Sequence, residues 1–225
     1  MTEIVLEKEG LIFELIQEYL AKKRTFNAKE IMPYLNNRIS KSKTNLNEKG
    51  IKLILQNLIE KNIIIEGSRI TKKDVLSNVN RRKIFEFIKE NPGTYLNKIV
   101  KKLNYNINLV SWHVKTLLKF ECINTSKIEN HEVYYITEIN PNLVRKIHFI
   151  SKEKCKIIIE YFKKHRKIKR KSDLYNNLDM HHNTIKKYLE LLEEFNIIIK
   201  TNGKGEPLYT FNEETYQKLQ SYLKK

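Results

Sequence analysis

The chain has 225 residues, of which 40% are hydrophobic and 31% charged, and this length allows one large domain or two to three small ones. The composition is typical of a globular chain and argues against a disordered or membrane-embedded one. Lysine and arginine number 43 against 26 acidic residues, which gives a formal net charge of +17. Nucleic acid or another polyanion is therefore the first partner to consider.

Local patterns exclude further classes of protein. The segment 1–9 carries acids where a secretory signal would be basic and then apolar, and no apolar run approaches the roughly 18 residues of a membrane span. Cys122 and Cys155 stand apart from any Cys or His at metal-ligand spacing. We therefore expect a reduced protein of the cytoplasm, associated with the nucleoid, with no metal and no membrane partner.

Internal repetition is the most informative feature of the sequence. The segment 110–123 aligns without a gap with 185–198, at an offset of 75 residues. Apolar residues recur in both at steps of four, three, three and three, which predicts one buried stripe on a helix. A third copy at 51–64 aligns at an offset of 59, with Lys61 in place of a phenylalanine.

Each copy closes a similar run of predicted elements. For the first repeat we predict helices at 11–22, 28–35 and 48–61, followed by a stunted hairpin at 63–71. A polar insertion at 36–47 separates its second and third helices. For the middle repeat we predict helices at 81–90 and 96–103, a third helix capped by Asn106, and strands at 123–127 and 133–137. For the third repeat we predict helices at 155–164, 171–178 and 184–195, strands at 197–200 and 208–211 around the turn 202–205, and a closing helix at 212–223.

The middle repeat resembles the archaeal ArsR-like winged helix-turn-helix transcription regulators over 76–137. The resemblance rests on Arg81-Arg-Lys-Ile-Phe, on Asn91-Pro-Gly and on Val110-Ser-Trp-His-Val. Leu109 departs from the usual threonine, and the Cys-X-Cys motif of the metal-responsive branch is absent. The third repeat is similar to the same broad group through Asn183-Thr-Ile-Lys-Lys-Tyr-Leu, although His181 stands where a Ser or Asn cap is usual.

The resemblance implies a fold class and a domain division. We expect a mainly α protein with small β-hairpin wings, an α+β fold of three tandem winged-helix domains at 1–75, 76–145 and 146–225. The first of these is assigned through the repeat alone. Its third helix has Glu48 near its start, which would repel phosphates, so we expect that domain to bind a protein partner or to dimerise.

A winged helix-turn-helix lays its third helix in the major groove of DNA. The residues opposite the buried stripe then face base edges, and in the middle and third repeats these are Asn108, Ser111, Trp112, Lys115, His182, Asn183, Lys186 and Lys187. Phosphate contacts position such a protein without specifying sequence. The candidates for those contacts lie in the wings and in the basic run 163–171: Lys127, Lys163, Lys164, Arg166, Lys167, Lys169, Arg170, Lys171, Lys200 and Lys204.

Four ring-bearing residues near these helices have more than one possible role. Trp112 meets a partner, or it packs on the wing or at a subunit interface. His113 is expected to pack or to bond a phosphate rather than to catalyse. His181 and His182 are adjacent on a helix start and do not face each other, which argues against a metal site.

The leading hypothesis is a transcription regulator that binds double-stranded DNA. One alternative is a tandem winged-helix subunit that binds proteins, of the endosomal-sorting or polymerase-associated type. Another is a sequence-indifferent DNA-binding protein of chromatin or plasmid replication. We expect no enzyme activity, no catalytic residue and no cofactor, and a homodimer through the N- and C-terminal helices is a further expectation.

Overall fold

The computed structural model describes residues 2–22, 24–42, 44–165, 167–168, 171–202 and 207–223. The chain is mainly helical with small antiparallel sheets, which confirms the predicted fold class. The helices are α1 (Thr2–Ala21), α2 (Ala28–Ser40), α3 (Glu48–Glu60), the 3₁₀ helix η1 (Lys72–Ser77), α4 (Val79–Glu90), α5 (Leu96–Leu103), α6 (Ile107–Lys119), α7 (Pro141–Ile150), α8 (Glu153–His165), α9 (Lys171–Asn177), α10 (His182–Glu194) and α11 (Glu213–Gln220). The strands are β1 (Thr94–Tyr95), β2 (Ile123–Ile128), β3 (His131–Ile136), β4 (Lys167–Ile168), β5 (Ile198–Asn202) and β6 (Pro207–Phe211).

The chain divides into two compact units. Unit 1 comprises 1–85 and 105–123, and unit 2 comprises 86–104 and 124–225. Elements of the middle repeat occur in both, because α6 belongs to unit 1 while α5 and β3 belong to unit 2. The chain crosses between the units at 85/86, within α4, and again at 104/105 and 123/124.

The core of unit 1 is built by α1, α2 and α3. Each helix is amphipathic, and its apolar residues recur on one face. Ile16, Leu35 and Leu58 are at most 1% exposed and belong to one apolar cluster. On the outer face of α1, Glu14 and Glu18 are exposed.

The hairpin predicted at 63–71 does not form, and turns occupy that segment instead. Its backbone bonds to the residue before α2: the amide of Gly67 donates to the carbonyl of Phe26, and the amide of Phe26 donates to Ser68, both at 2.8 Å. Gly67 has a φ of 74°, which glycine adopts without strain. The segment is thus held by two bonds to Phe26 rather than by a ladder of its own.

The third helix of every repeat has the same local geometry. The helices α3, α6 and α10 each span 13 residues and begin directly after a side-chain cap. The caps are Asn47, Asn106 and His181, which obey the offsets of 59 and 75 read from the sequence. The Nδ1 atom of His181 accepts from the amide of Asn183 at 3.2 Å, so this histidine serves as a cap where the resemblance leads one to expect Ser or Asn.

The ends of the three helices repeat as well. Each is followed by a residue with positive φ: Asn62 at 51°, Glu121 at 52° and Asn196 at 58°. The next amide donates to the carbonyl five residues back, from Ile63 to Leu58, from Cys122 to Leu117 and from Ile197 to Leu192. This is the bonding of a Schellman motif, and it recurs at the same offsets as the caps.

Two three-stranded sheets lie in unit 2, apart from the first residue of β2. Their strand orders are β1-β3-β2 and β4-β6-β5, all antiparallel where the register is defined. The strand pairs β2–β3 and β5–β6 are the predicted hairpins. The two-residue strands β1 and β4 pair with the second hairpin strand of each sheet, with Thr94 opposite Tyr134 and Lys167 opposite Thr210. These third strands were not predicted.

The helix α7 was also not predicted. Asn140 caps it by accepting from the amide of Asn142 at 2.8 Å, and Pro141 occupies its first position. Its residues Val144, Phe149 and Ile150 are at most 4% exposed and join the apolar cluster of unit 2. This helix therefore continues the core beyond the wing of the middle repeat.

Candidate nucleic-acid interface

The outward face of α6 is defined by what the helix buries. Val110, Val114 and Leu117 are at most 2% exposed. The residues predicted to read bases lie on the other side: Asn108, Trp112 and Lys115 are exposed, and Ser111 is half-buried. The Oδ1 atom of the cap Asn106 accepts from the amide of Asn108 at 2.8 Å, which fixes the first turn of this face. A polar, cationic helix face of this kind has the chemistry of a major-groove reader.

Trp112 is 59% exposed and packs against a buried arginine. The guanidinium of Arg81 lies 5.4 Å from the centre of the indole ring, a cation–π contact. Arg81 itself is 4% exposed, and its Nη1 donates to the carbonyl of Val75 at 2.8 Å. Sequence reasoning missed this support for Trp112, although Arg81 belongs to the motif that carried the family resemblance.

His113 is buried beside the exposed tryptophan. It is 3% exposed, and its ring meets that of Trp112 edge-on at 4.8 Å between centroids. Burial and then the nearby Arg81 charge lower the pKa of His113, so the ring is neutral at neutral pH. This geometry agrees with packing, and the solvent exposure needed to bond a phosphate is lacking.

The corresponding face of α10 carries more internal contacts. Asn183 and Lys186 are exposed. The ring of His182 stacks on Tyr175 at 4.6 Å between centroids. Lys187 forms an ion pair with Glu129, which lies at the end of the wing strand β2. Two of the four candidate base readers on α10 are therefore already engaged with other side chains.

Glu129 binds two cations at once, because Lys152 pairs with its second carboxylate oxygen. Hydrogen bonds from Lys152 and Lys187 lower the pKa of Glu129 to about 2. The bond to Glu129 likewise raises the pKa of Lys187. The wing of the middle repeat is thus tied to α10, within unit 2.

The phosphate candidates differ in how much of their charge faces solvent. Lys127, Lys164, Lys167 and Lys200 are exposed. Lys163 and Lys171 are half-buried: Lys163 pairs with Glu160 at 2.8 Å, and Lys171 lies 5.6 Å from the ring of Tyr209. Four further candidates lie outside the described residues, namely Arg166, Lys169, Arg170 and Lys204.

The described residues contain no group of three His, Cys, Asp or Glu side chains that could hold a metal ion. Burial raises the pKa of the Cys155 thiol to about 12, which leaves it a protonated core residue. Over the same part of the chain, no helix combines the length and apolarity needed to cross a membrane.

The sequence of this chain is similar to that of a protein named as a transcriptional regulator. The chain is 29% identical over 144 residues to a protein of Methanocaldococcus jannaschii named an uncharacterized HTH-type transcriptional regulator. The match covers 64% of this chain and 36% of that protein, so the chain spans about a third of that relative's length. No protein-family model matches the chain. The chain is thus similar, over most of its length, to a protein named for a helix-turn-helix and for transcription regulation.

Proposed function

We propose that this protein is a DNA-binding transcription regulator of the archaeal ArsR-like winged-helix type. The observation that carries the proposal is the outward face of α6, where exposed Asn108 and Lys115 lie opposite a fully buried apolar stripe. The net charge of +17 supplies the attraction to phosphates. The similarity to a named HTH-type transcriptional regulator supports the same reading.

In this proposal the chain carries three tandem winged-helix modules at 1–75, 76–145 and 146–225. The helix α6 enters the major groove as the principal reader, with Asn108 on a base edge and Lys115 on a guanine or a phosphate. Lys127 and Lys200 contact the DNA backbone from the wings. The helix α10 reads a second site less strongly, since Lys187 is paired with Glu129 and His182 is stacked on Tyr175.

The homodimer expected from the sequence remains a prediction. Among the described side chains of α1, Ile12, Leu15 and Ile16 lie in the core of unit 1 and are at most 5% exposed. Half-buried Tyr222 and Leu223 lie in the turn that follows α11. Analytical ultracentrifugation would detect such a dimer.

Selection of binding sites from a random duplex library tests the proposal. We expect a preferred sequence, and we expect Asn108→Ala to cost about 1–3 kcal/mol on that sequence and to relax preference at one base pair. Asn37→Ala is the matched control, because Asn37 is an exposed asparagine on α2. Selection without enrichment would contradict the proposal and favour a sequence-indifferent DNA-binding protein.

One observation favours the protein-binding alternative. Ile107 is 47% exposed and Trp112 is 59% exposed, so two large apolar side chains lie at the solvent-facing side of α6. Exposed aromatic and aliphatic residues are typical of protein interfaces. That alternative predicts a protein partner whose affinity is unchanged in the Asn108→Ala, Ser111→Ala double variant.

A further inference from the structure

A cavity of about 560 Å³ lies within unit 1, beside the outward face of α6. One wall is the turn 67–70 and Arg81, and the other is formed by α6 and the residue after it, from Trp112 to Phe120. This volume is within the range of roughly 300–1,000 Å³ typical of small-molecule sites. The turn that forms one wall is the segment held by its two backbone bonds to Phe26.

The lining of this cavity is cationic. Arg69, Arg81, Lys115 and Lys119 contribute to it, and among the described lining residues there is no carboxylate. The Nε atom of Arg81 is buried and has no hydrogen-bond partner among the described residues. Burial lowers the pKa of Arg81, because a desolvated guanidinium loses the stabilisation that water gives its charge. The charge of Arg81 adds to the positive potential of the cavity, which favours an anion there.

The cavity also has an aromatic surface. Trp112 lines it while remaining 59% exposed, and Arg81 lies over its ring. Ile70 and Phe120 add apolar surface. Aromatic side chains stack on the bases of nucleic acids, and this stacking is tolerant of base identity because every base has a planar π-face. The combination of a stacking surface with several cations matches a ring that carries a phosphate.

We propose that this cavity binds a free nucleotide, with its base against Trp112 and its phosphate among Arg69, Lys115 and Lys119. Because Trp112 and Lys115 also belong to the proposed DNA-reading face, a bound nucleotide competes with DNA. The competition rests on the proposed function, whereas binding of the nucleotide does not. The protein is then a regulator whose DNA affinity falls as nucleotide concentration rises.

The fluorescence of Trp112 reports on the site directly, since it is the single tryptophan of the chain. The probes are AMP, GMP, CMP and UMP, with adenosine and inorganic phosphate as the separated parts, titrated into the full chain without DNA. We expect at least one nucleotide to change the emission saturably with a Kd below about 1 mM. Adenosine and phosphate should each bind at least about tenfold more weakly than AMP. No saturable change with any of the four nucleotides would overturn the proposal.

A pair of substitutions separates this site from general attraction to charge. The Arg69→Gln, Lys119→Gln double variant removes two exposed cations from the cavity and leaves the proposed DNA-reading residues in place. We expect it to weaken nucleotide binding about tenfold or more. The Lys49→Gln, Lys83→Gln variant loses the same charge at exposed positions elsewhere in unit 1 and should bind as wild type. Equal binding by both variants would overturn the site.

Titration of the DNA complex with nucleotide tests the competition. At a nucleotide concentration about ten times its Kd, the Kd for DNA should rise about tenfold if the two exclude each other. An unchanged DNA affinity under these conditions would overturn the shared surface. If the chain binds nucleotide but no duplex DNA, the proposed function fails while the cavity site stands. If it binds DNA but none of the nucleotides, the cavity proposal fails and the proposed function stands.

Discussion

Replacing Glu129 by glutamine removes the negative charge that joins Lys152 and Lys187 and keeps the size of the side chain. The pKa of Glu129 is lowered to about 2 from an ordinary value of 4.5, which sets an upper limit of about 3 kcal/mol on what the charged form contributes to stability. The Lys187 side chain is 53% exposed, so water screens its pair strongly. We expect Glu129→Gln to lower the free energy of unfolding by about 1 kcal/mol near neutral pH.

The stabilisation of the fold by Glu129 depends on pH. A carboxylate with a lowered pKa stabilises the folded state above its ordinary pKa, and that stabilisation is lost as the pH falls towards the folded-state value. The difference between wild type and Glu129→Gln should therefore be full above about pH 5 and should shrink towards zero near pH 2. Urea unfolding followed by circular dichroism at several pH values measures it.

The control for this experiment is Glu86→Gln, which removes a carboxylate from a half-exposed pair with Lys89 at 4.0 Å. That variant should change stability by less than about 0.5 kcal/mol. In DNA titrations, Glu129→Gln should also steepen the salt dependence by up to about 0.9, the share of one further phosphate contact, because Lys187 is released. Equal stability of the two variants at neutral pH, or a difference that does not vary with pH, would show that the charge of Glu129 does not stabilise the fold.

Three further predictions concern stability. Gly93 has a φ of 80°, and an added Cβ would lie 3.1 Å from the Cβ of His148, so Gly93→Ala should lower the free energy of unfolding by about 1–3 kcal/mol. Gly10 lies in open space on α1, so Gly10→Ala should raise the free energy of unfolding by about 0.5–1 kcal/mol. Chemical denaturation compares the two variants. Asn106→Ala removes the cap of α6 and should lower the free energy of unfolding by about 1 kcal/mol, and the affinity for DNA should fall as well. A decrease in the free energy of unfolding of less than about 0.3 kcal/mol would show that the cap contributes little. Burial lowers the pKa of His113 and His148, so the folded state binds fewer protons than the unfolded one. The free energy of unfolding should therefore fall as the pH drops below about 6.5, and the Tm of the His113→Asn, His148→Asn variant should vary less over that range. An equal pH dependence of the two Tm values would contradict a role for these histidines.

The sequence predicted those parts of the fold that depend on local periodicity. The stripe Val110, Val114 and Leu117 predicted which face of α6 is buried, and hence which face carries Asn108 and Lys115. The repeat offsets predicted where the equivalent helices begin and end. These features depend on contacts a few residues apart, which sequence patterns record directly.

Features that depend on distant pairing were missed. The strands β1 and β4 have only two residues each, and they exist because a hairpin strand is available to pair with them. The segment 63–71 was predicted to be a hairpin but bonds to Phe26 instead. The helix α7 is the exception, because Asn140-Pro141 is a local signal for the start of a helix.

In the candidate sites too, features that follow from helix periodicity were predictable and features that need a distant contact were not. Exposure of Lys186 and Asn183 follows from the period of α10. The pairing of Lys187 with Glu129 joins residues 58 positions apart, and no local pattern predicts it. Arg81 belongs to a motif of the sequence, but its position over Trp112 depends on a tertiary contact.

The dependence of duplex-DNA affinity on salt concentration tests whether α6 and the wings bind DNA. Fluorescence anisotropy of a labelled duplex gives the binding constant of the full chain from low to moderate salt. If α6 and the wings bind DNA through at least about four phosphates, the log–log slope is about −3.6 or steeper, and Lys115→Gln reduces it by up to about 0.9 while Lys49→Gln leaves it unchanged. A slope near zero, or equal slopes for the two variants, would contradict a DNA-reading role for α6.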